Sequence, residues 1–309
     1  MKFLRLATWF LLAATPVSSS LFAQDANVAP STCGEAAVAP QGAWQKTDGD
    51  TQVLFTGDQI VIRKAGALSV ATILRRQPCK LIVRYEGLQS NWELTQDGTT
   101  IQLKADETLT LKSLPKIPSE LDLTSLVLPP PVLVSAAEAQ DVERELVRRG
   151  AMDQDALKNP ALKAKFPEIK TDNLRYLRDL TRRVGWIDIP RFGKRSASAA
   201  ILIAKHGQDL LLMKAALPIV EKDVKEHGGS GEMFSVLYDE LQITLGKKQR
   251  YGTQITEDAK GRPFVMPIEE PSRVDEYRKE INILSFREYL KLASDNMGGA
   301  TLRVATDDE

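Results

Sequence analysis

"VLPPPVLVSAAEAQDVERELVRRG", Val127 to Gly150, is where the chain changes its period. Ahead of it apolar residues alternate with polar ones every second position, the mark of half-buried strands, and after it they recur about every 3.6 positions, the mark of amphipathic helices. Three consecutive prolines, Pro129 to Pro131, separate the two regimes. Proline denies the backbone a donor and holds it extended, so 114–134, which also carries Pro115 and Pro118, reads as a linker. Ser135 is placed to cap a helix with Ala139, Val142 and Leu146 on one face, and Gly150 is the expected stop. The reading is an α+β multidomain chain. It has a β-rich domain over 33–113, small and antiparallel, either barrel or sandwich, and a mainly helical domain over 135–293 with one hairpin.

Upstream, the runs "TQVLFTG", "QIVIRK", "LSVATILRR", "KLIVRYEG", "SNWELTQ", "TIQLKAD" and "TLTLKSL" are broken at Gly57-Asp58, Ala65-Gly66, Gln77-Pro78, Gly87 and Asp97-Gly98. Such spacing predicts six or seven hairpin-connected strands. Gly42-Ala43-Trp44, just ahead of this meander, resembles the Gly-x-Trp that opens lipocalin-like barrels. A region this short is expected to fill its interior with side chains rather than hold a ligand. Trp44 and Trp92 are then core residues.

Downstream, Thr171 is placed to cap "DNLRYLRDLTRRV", with Leu174, Leu177, Leu180 and Val184 as its stripe and Gly185 as its close. "SASAAILIAKHG" is apolar nearly all round and predicts a buried central helix. A fourth helix from Asp209 to about Glu226 carries Pro218, where a kink is expected. Ser230 caps a fifth, with Phe234, Leu237, Tyr238, Leu241 and Leu245 in helical rhythm up to Gly246. "RYGTQIT" and "RPFVMPI" flanking "EDAKG" read as the hairpin. Glu270-Pro271 opens a helix through "SRVDEYRKEI", Ser285 caps "FREYLKLA", and the tail 294–309 is too poor in apolar residues to order itself.

The first 23 residues follow the order of a secretory signal: Lys2 and Arg5, an apolar run from Leu6 to Ala14, then small residues up to Ala23. Export to the periplasm or the medium is the expectation, with no membrane span, because no other apolar run nears the ~20 residues that a spanning helix needs. Without residues 1–23 the charge is 39 basic against 41 acidic, or −2, and neither half of the chain is basic. Nucleic acid is therefore not an expected partner. An unknown small molecule or protein is. Cys33 and Cys79, the two cysteines, are expected to pair in an oxidising compartment. Closing 45 intervening residues would contribute roughly 4 kcal/mol in the chain-entropy account.

Six elements in order, "MDQD" (152–155), "GWIDIP" (185–190), "AAILIAKHGQD" (199–209), "RYGTQ" (250–254), "PIEEPSRVDEYR" (267–278) and "FREYL" (286–290), resemble a bacterial family, domain of unknown function 6624, over about 143–290. The resemblance implies a mostly helical domain with a hairpin. It implies no reaction. His206 is followed here by Gly207, where the family pattern has Ala.

The candidate site residues follow from these segments. His206 is either a general acid or base, its ring oriented by Asp209, Asp153 or Gln254, or a cap on the last carbonyls of its helix. Asp153, Gln154, Asp209, Tyr251 and Gln254 are the candidate binding residues around it, with Gly252 leaving room beside Gln254. Gly228, Gly229 and Gly231 around Ser230 place free amides at a helix start, where an anion can sit, but no Gly-x-x-x-x-Gly-Lys accompanies them. Two cysteines and two histidines at scattered positions exclude a structural zinc site. Asp153, Asp155 and Asp209 as a cation site are outweighed by their reading as solvated acids, and no motif calls for a cofactor.

Overall fold

The computed structural model describes residues 40–306, apart from 48, 65–66, 98–99, 106–107, 124–127 and 259. The leader and Cys33 lie outside them, and with Cys33 so does the expected Cys33–Cys79 pair.

Eight antiparallel strands close a barrel in simple sequence order: β1 (Gly42–Lys46), β2 (Gln52–Thr56), β3 (Gln59–Lys64), β4 (Ala67–Gln77), β5 (Lys80–Tyr85), β6 (Leu88–Asp97), β7 (Thr100–Lys104) and β8 (Thr108–Ser113). The strand beyond the expected six or seven is β1, "GAWQK". It pairs Trp44 with Val53 of β2 on one side and with Ser113 of β8 on the other, and so closes the ring. Its five residues hold too few apolar positions for an alternating pattern to register.

Trp44, Val53, Phe55, Ile60, Ile62, Ala71, Trp92, Ile101 and Leu111 fill the lumen. Eight strands leave an interior just wide enough for such filling. The intervening residues Ala43, Leu54, Val61, Leu68 and Val70 point outward into a second core, shared with the helices. β1 to β4 are therefore buried on both faces, which is why "VLF" and "IVI" are apolar without interruption. On β7 the outward residues Gln102 and Lys104 meet solvent instead.

The helical unit is α1 (Ala136–Lys158), α2 (Phe166–Val184), α3 (Ile189–His206), α4 (Leu210–Glu226), α5 (Gly231–Thr244), α6 (Val274–Glu280) and α7 (Phe286–Asn296). Caps fall where the sequence places them at Ser135, Ser230 and Ser285, whose hydroxyls accept from the amides of Glu138, Met233 and Glu288. Gly185, at φ 78°, closes α2.

Gly150 does not stop α1. The helix crosses α3 there, and a β-carbon on Gly150 would lie 3.2 Å from that of Ala199. The glycine serves close approach of two helices, a role that one helix read alone does not display. α2 begins at Phe166, with Pro167 in its first turn, so Thr171 is inside the helix and donates to the Pro167 carbonyl at 2.8 Å. α3 begins at the Asp188 cap and bends at Gly193.

The segment before α1 packs as it passes. Leu121 is buried in the shared core, the Val132 amide reaches the Val184 carbonyl, and Pro129 lies against Gly185. Leu121→Ala should cost about 2–5 kcal/mol in urea unfolding, the range for deleting a buried leucine side chain. A loss below about 0.5 kcal/mol, the size of a surface substitution, would mean that the segment only spans a gap.

β9 (Ile255–Glu257) and β10 (Pro263–Val265) form the expected hairpin, and β11 (Arg303–Val304) adds to β10 in parallel. This corrects the expectation of an unordered tail, and α7 likewise runs on to Asn296. The sheet edge supplies backbone partners, such as Val265 O for the Ala305 amide at 2.8 Å, that a count of apolar side chains does not include.

Candidate functional site

The sequence places six candidate residues together, and the structure distributes them over three places. The first joins the ends of α1 and α3. His206 Nδ1 bonds Asp153 Oδ2, so of the three orienting partners proposed for the ring Asp153 is the one in contact. The pair is closed off, with side chains 3% and 1% exposed and the Phe166 ring set edge-on to the imidazole. Asp153 Oδ1 and Gln154 Nε2 are buried beside it without a hydrogen-bond partner among the described residues. Lys205, the neighbour of His206 on α3, is also buried, with its ammonium 3.8 Å from Glu240. Burial depresses the Lys205 pKa, and the charges of Glu240 and Asp153 oppose that shift.

A buried, hydrogen-bonded carboxylate–imidazole pair holds a fold chiefly because removing one partner leaves the other buried and unsatisfied. His206→Leu should therefore cost about 3 kcal/mol in chemical unfolding. His206→Asn, which can still donate to Asp153, should cost about 1–2 kcal/mol. Equal losses in the two variants would show that the ring's volume matters and the bond does not.

The second place is built on "RYGTQ". Asp239 of α5, fully buried, accepts from the amides of Arg250 (2.8 Å), Tyr251 (3.0 Å) and Thr253 (2.9 Å) and from the Thr253 hydroxyl (2.8 Å). Burial pushes the Asp239 carboxyl up from the ordinary carboxylate range, and these donors pull it back. Gln249, also buried, donates to the carbonyls of Gln254 and Met266 and accepts from the Gln254 amide. Arg278 donates to the Tyr251 and Leu284 carbonyls. Arg250 lies over the rings of Tyr238 and Tyr277 and bonds Glu269.

Tyr251 is thus a core residue, edge-on to Phe234 and Tyr238, and burial raises its phenol pKa. The Gln254 side chain reaches Thr253 Oγ1 and, at 3.4 Å, the Val236 carbonyl. Gly252, at φ 74°, gives its space to the Phe286 ring. Asp239 escaped the sequence reading although a signal was there. It sits on the buried stripe of Ser235, Val236 and Ile243, where an acid needs several donors to be tolerated.

The third place opens to solvent. A cleft of about 340 Å³ lies between the turn at Ser119-Glu120, the end of α2 and the start of α4, lined also by Arg178, Thr181, Arg182, Asp209, Leu211 and Leu212. Asp209 caps α4 through the Leu212 amide at 3.1 Å and holds Arg178 Nε at 2.5 Å. Arg178 is 44% exposed, and its terminal nitrogens have no partner among the described residues. Arg182, 67% exposed, pairs with Asp179 at 3.3 Å and with no other acid among the described residues. Both arginines belong to the run "RDLTRR", which in sequence looks like any solvated helix face.

A smaller hollow of about 140 Å³ adjoins Gly228, Gly229 and Ser230. It also presents the Asp223 carboxylate to an anion, and the Ser230 hydroxyl already caps α5. Among the described residues no cluster of three or more metal-ligating side chains occurs, and no helix is long and apolar enough to cross a membrane.

These features define an α+β protein in which a filled eight-stranded barrel docks on a seven-helix unit with a small mixed sheet. The chain belongs to the family of unknown function DUF6624, which it matches over residues 132–302. The match begins within the segment before α1 and leaves the barrel outside. Comparison with curated proteins and with solved structures returned no match.

Proposed function

We propose that this is an exported binding protein whose helical unit takes a small polar ligand in the cleft between α2 and α4. The observation that carries the reading is the pair of arginines at that cleft with open donors, beside an apolar floor. Ligand sites combine apolar lining with a few placed polar groups in volumes of about 300–1,000 Å³.

An acid–base enzyme built on His206 is the second reading, favoured by its carboxylate partner. Catalysis there requires substrate to reach a ring that is closed from solvent, so the binding reading is the stronger.

A thermal-shift screen of small polar compounds, followed by Ser119→Trp and His206→Asn, separates the two. Ser119 is exposed at the cleft, so tryptophan there blocks the entrance without disturbing a core. Hits lost in Ser119→Trp and kept in His206→Asn support the cleft. Hits indifferent to Ser119→Trp, or a hydrolytic activity that only His206→Asn removes, would replace it with the second reading. Export predicts an isolated chain beginning at Gln24 in the periplasmic or secreted fraction, and a cytoplasmic chain retaining Met1 contradicts it.

A further inference from the structure

Resting on the cleft reading above, we infer that the ligand is a small zwitterion of the amino-acid class, a carboxylate and an ammonium on one compact apolar body. Three properties of the cleft point there together. Arg178 is held by Asp209 through Nε alone, which fixes the plane of its guanidinium and leaves the terminal nitrogens open. A planar guanidinium with open nitrogens matches a carboxylate, and Arg182, one helical turn on, adds a second. Asp209 faces Arg178 and the Leu212 amide and offsets the Arg178 charge, so Arg178 offers a ligand its oriented donors and Arg182 the more exposed charge.

The turn at Ser119-Glu120 lines the same cleft and carries the opposite charge. Glu120, exposed at the cleft, has only the Ser119 hydroxyl at 3.4 Å as its partner among the described residues. A simple anion would meet that carboxylate as a repulsion, and a simple cation would meet the arginines. A ligand bearing both charges satisfies both, while the partly exposed Leu211 offers apolar surface to its side chain. A cleft of about 340 Å³ lies at the small end of the range for ligand pockets, which suits a single amino acid better than a nucleotide or a long peptide.

Three probes on one leucine skeleton test this: L-leucine with both charges, N-acetyl-L-leucine with the carboxylate alone, and L-leucine amide with the ammonium alone. Calorimetric titration into the chain from Gln24 should give the tightest binding for L-leucine, with each single-charge probe at least about fivefold weaker. Glu120→Gln should weaken L-leucine about fivefold and, by removing a repulsion, tighten N-acetyl-L-leucine, while Arg182→Gln should weaken both carboxylate probes and tighten the amide. Both substitutions are at exposed side chains, so loss of fold does not confuse the result.

Equal binding of all three probes, or no binding of L-leucine at millimolar concentrations, would overturn the zwitterion inference. The cleft reading survives that outcome if compounds of another class bind and are blocked by Ser119→Trp. It fails as well only if nothing binds there.

Discussion

Asp239→Ala is expected to lower the unfolding free energy by about 4–6 kcal/mol, because it strands buried donors that have no water to turn to. The carboxylate is fully buried on α5 and gathers three backbone amides and one hydroxyl from the Arg250–Thr253 segment. Each buried donor left without an acceptor costs about 1–3 kcal/mol. The methyl of alanine replaces none of them. The charge has a second function, since the guanidinium of Arg278 is also buried and its pKa is depressed by that burial, an effect which Asp239 opposes. Asp239→Asn keeps one accepting oxygen but turns an amide donor toward amide donors, and about half the loss of Asp239→Ala is expected. Urea unfolding measures both. Hydrogen exchange localises the effect: the amides of Tyr251 and Thr253 should be slow in the wild type and open first in Asp239→Ala. If they stay protected in a stable variant, the segment is held by something other than Asp239.

Gly246→Val is the second large effect, and it acts on the seam between barrel and helices. Gly246 follows α5 at φ 66°, and a β-carbon there would lie 2.6 Å from Arg84 O, 2.7 Å from Thr72 N and 2.8 Å from Val70 O. These are backbone atoms of β4 and β5, which cannot swing aside as a side chain can. Left-handed backbone in a β-branched residue adds about 1–2 kcal/mol to an overpacking cost of about 1–3 kcal/mol, so a loss of about 2–5 kcal/mol is expected. The Thr72 hydroxyl bond to Leu245 O at 3.2 Å is lost with the contact. Gly87→Ala provides the comparison at the same seam. Its β-carbon would meet the ends of the Met266 and Ile243 side chains, which can move, so its loss should be smaller. Unfolding in two steps in Gly246→Val, against one in the wild type, would show that the shared core makes the two units cooperative. An unchanged single transition at the wild-type midpoint would show that the seam contributes nothing.

What the sequence discloses divides along a physical line. Signals local to one element come through: the period change at Pro129–Pro131, the serine caps of α1, α5 and α7, the closing Gly185, and the family motifs spread over 152–290. Features that depend on a second element do not. Gly150 reads as a stop until α3 lies against it, the tail reads as unordered until β10 offers an edge, and β1 disappears because five residues are too short for a pattern. The candidate site follows the same rule. His206 with an aspartate was legible as a type of chemistry, but the choice of Asp153 over Asp209 required the crossing of α1 and α3. Tyr251 and Gln254, read as binding residues around His206, belong to the hydrogen-bonded node around Asp239. Arg178 and Arg182 carried no sequence signal beyond charge, because their place beside Glu120 depends on how the segment before α1 crosses the helices.

On our proposal a ligand binds at the α2–α4 cleft and the His206–Asp153 pair serves the fold. Hydrogen–deuterium exchange of the chain from Gln24, with and without saturating L-leucine, tests it most directly. Slowed exchange is expected, confined to 119–121, the last turns of α2 and the first turn of α4, with the ends of α1 and α3 unchanged. Slowed exchange at 153–154 and 205–206, with none at the cleft, would contradict it and place the ligand on His206.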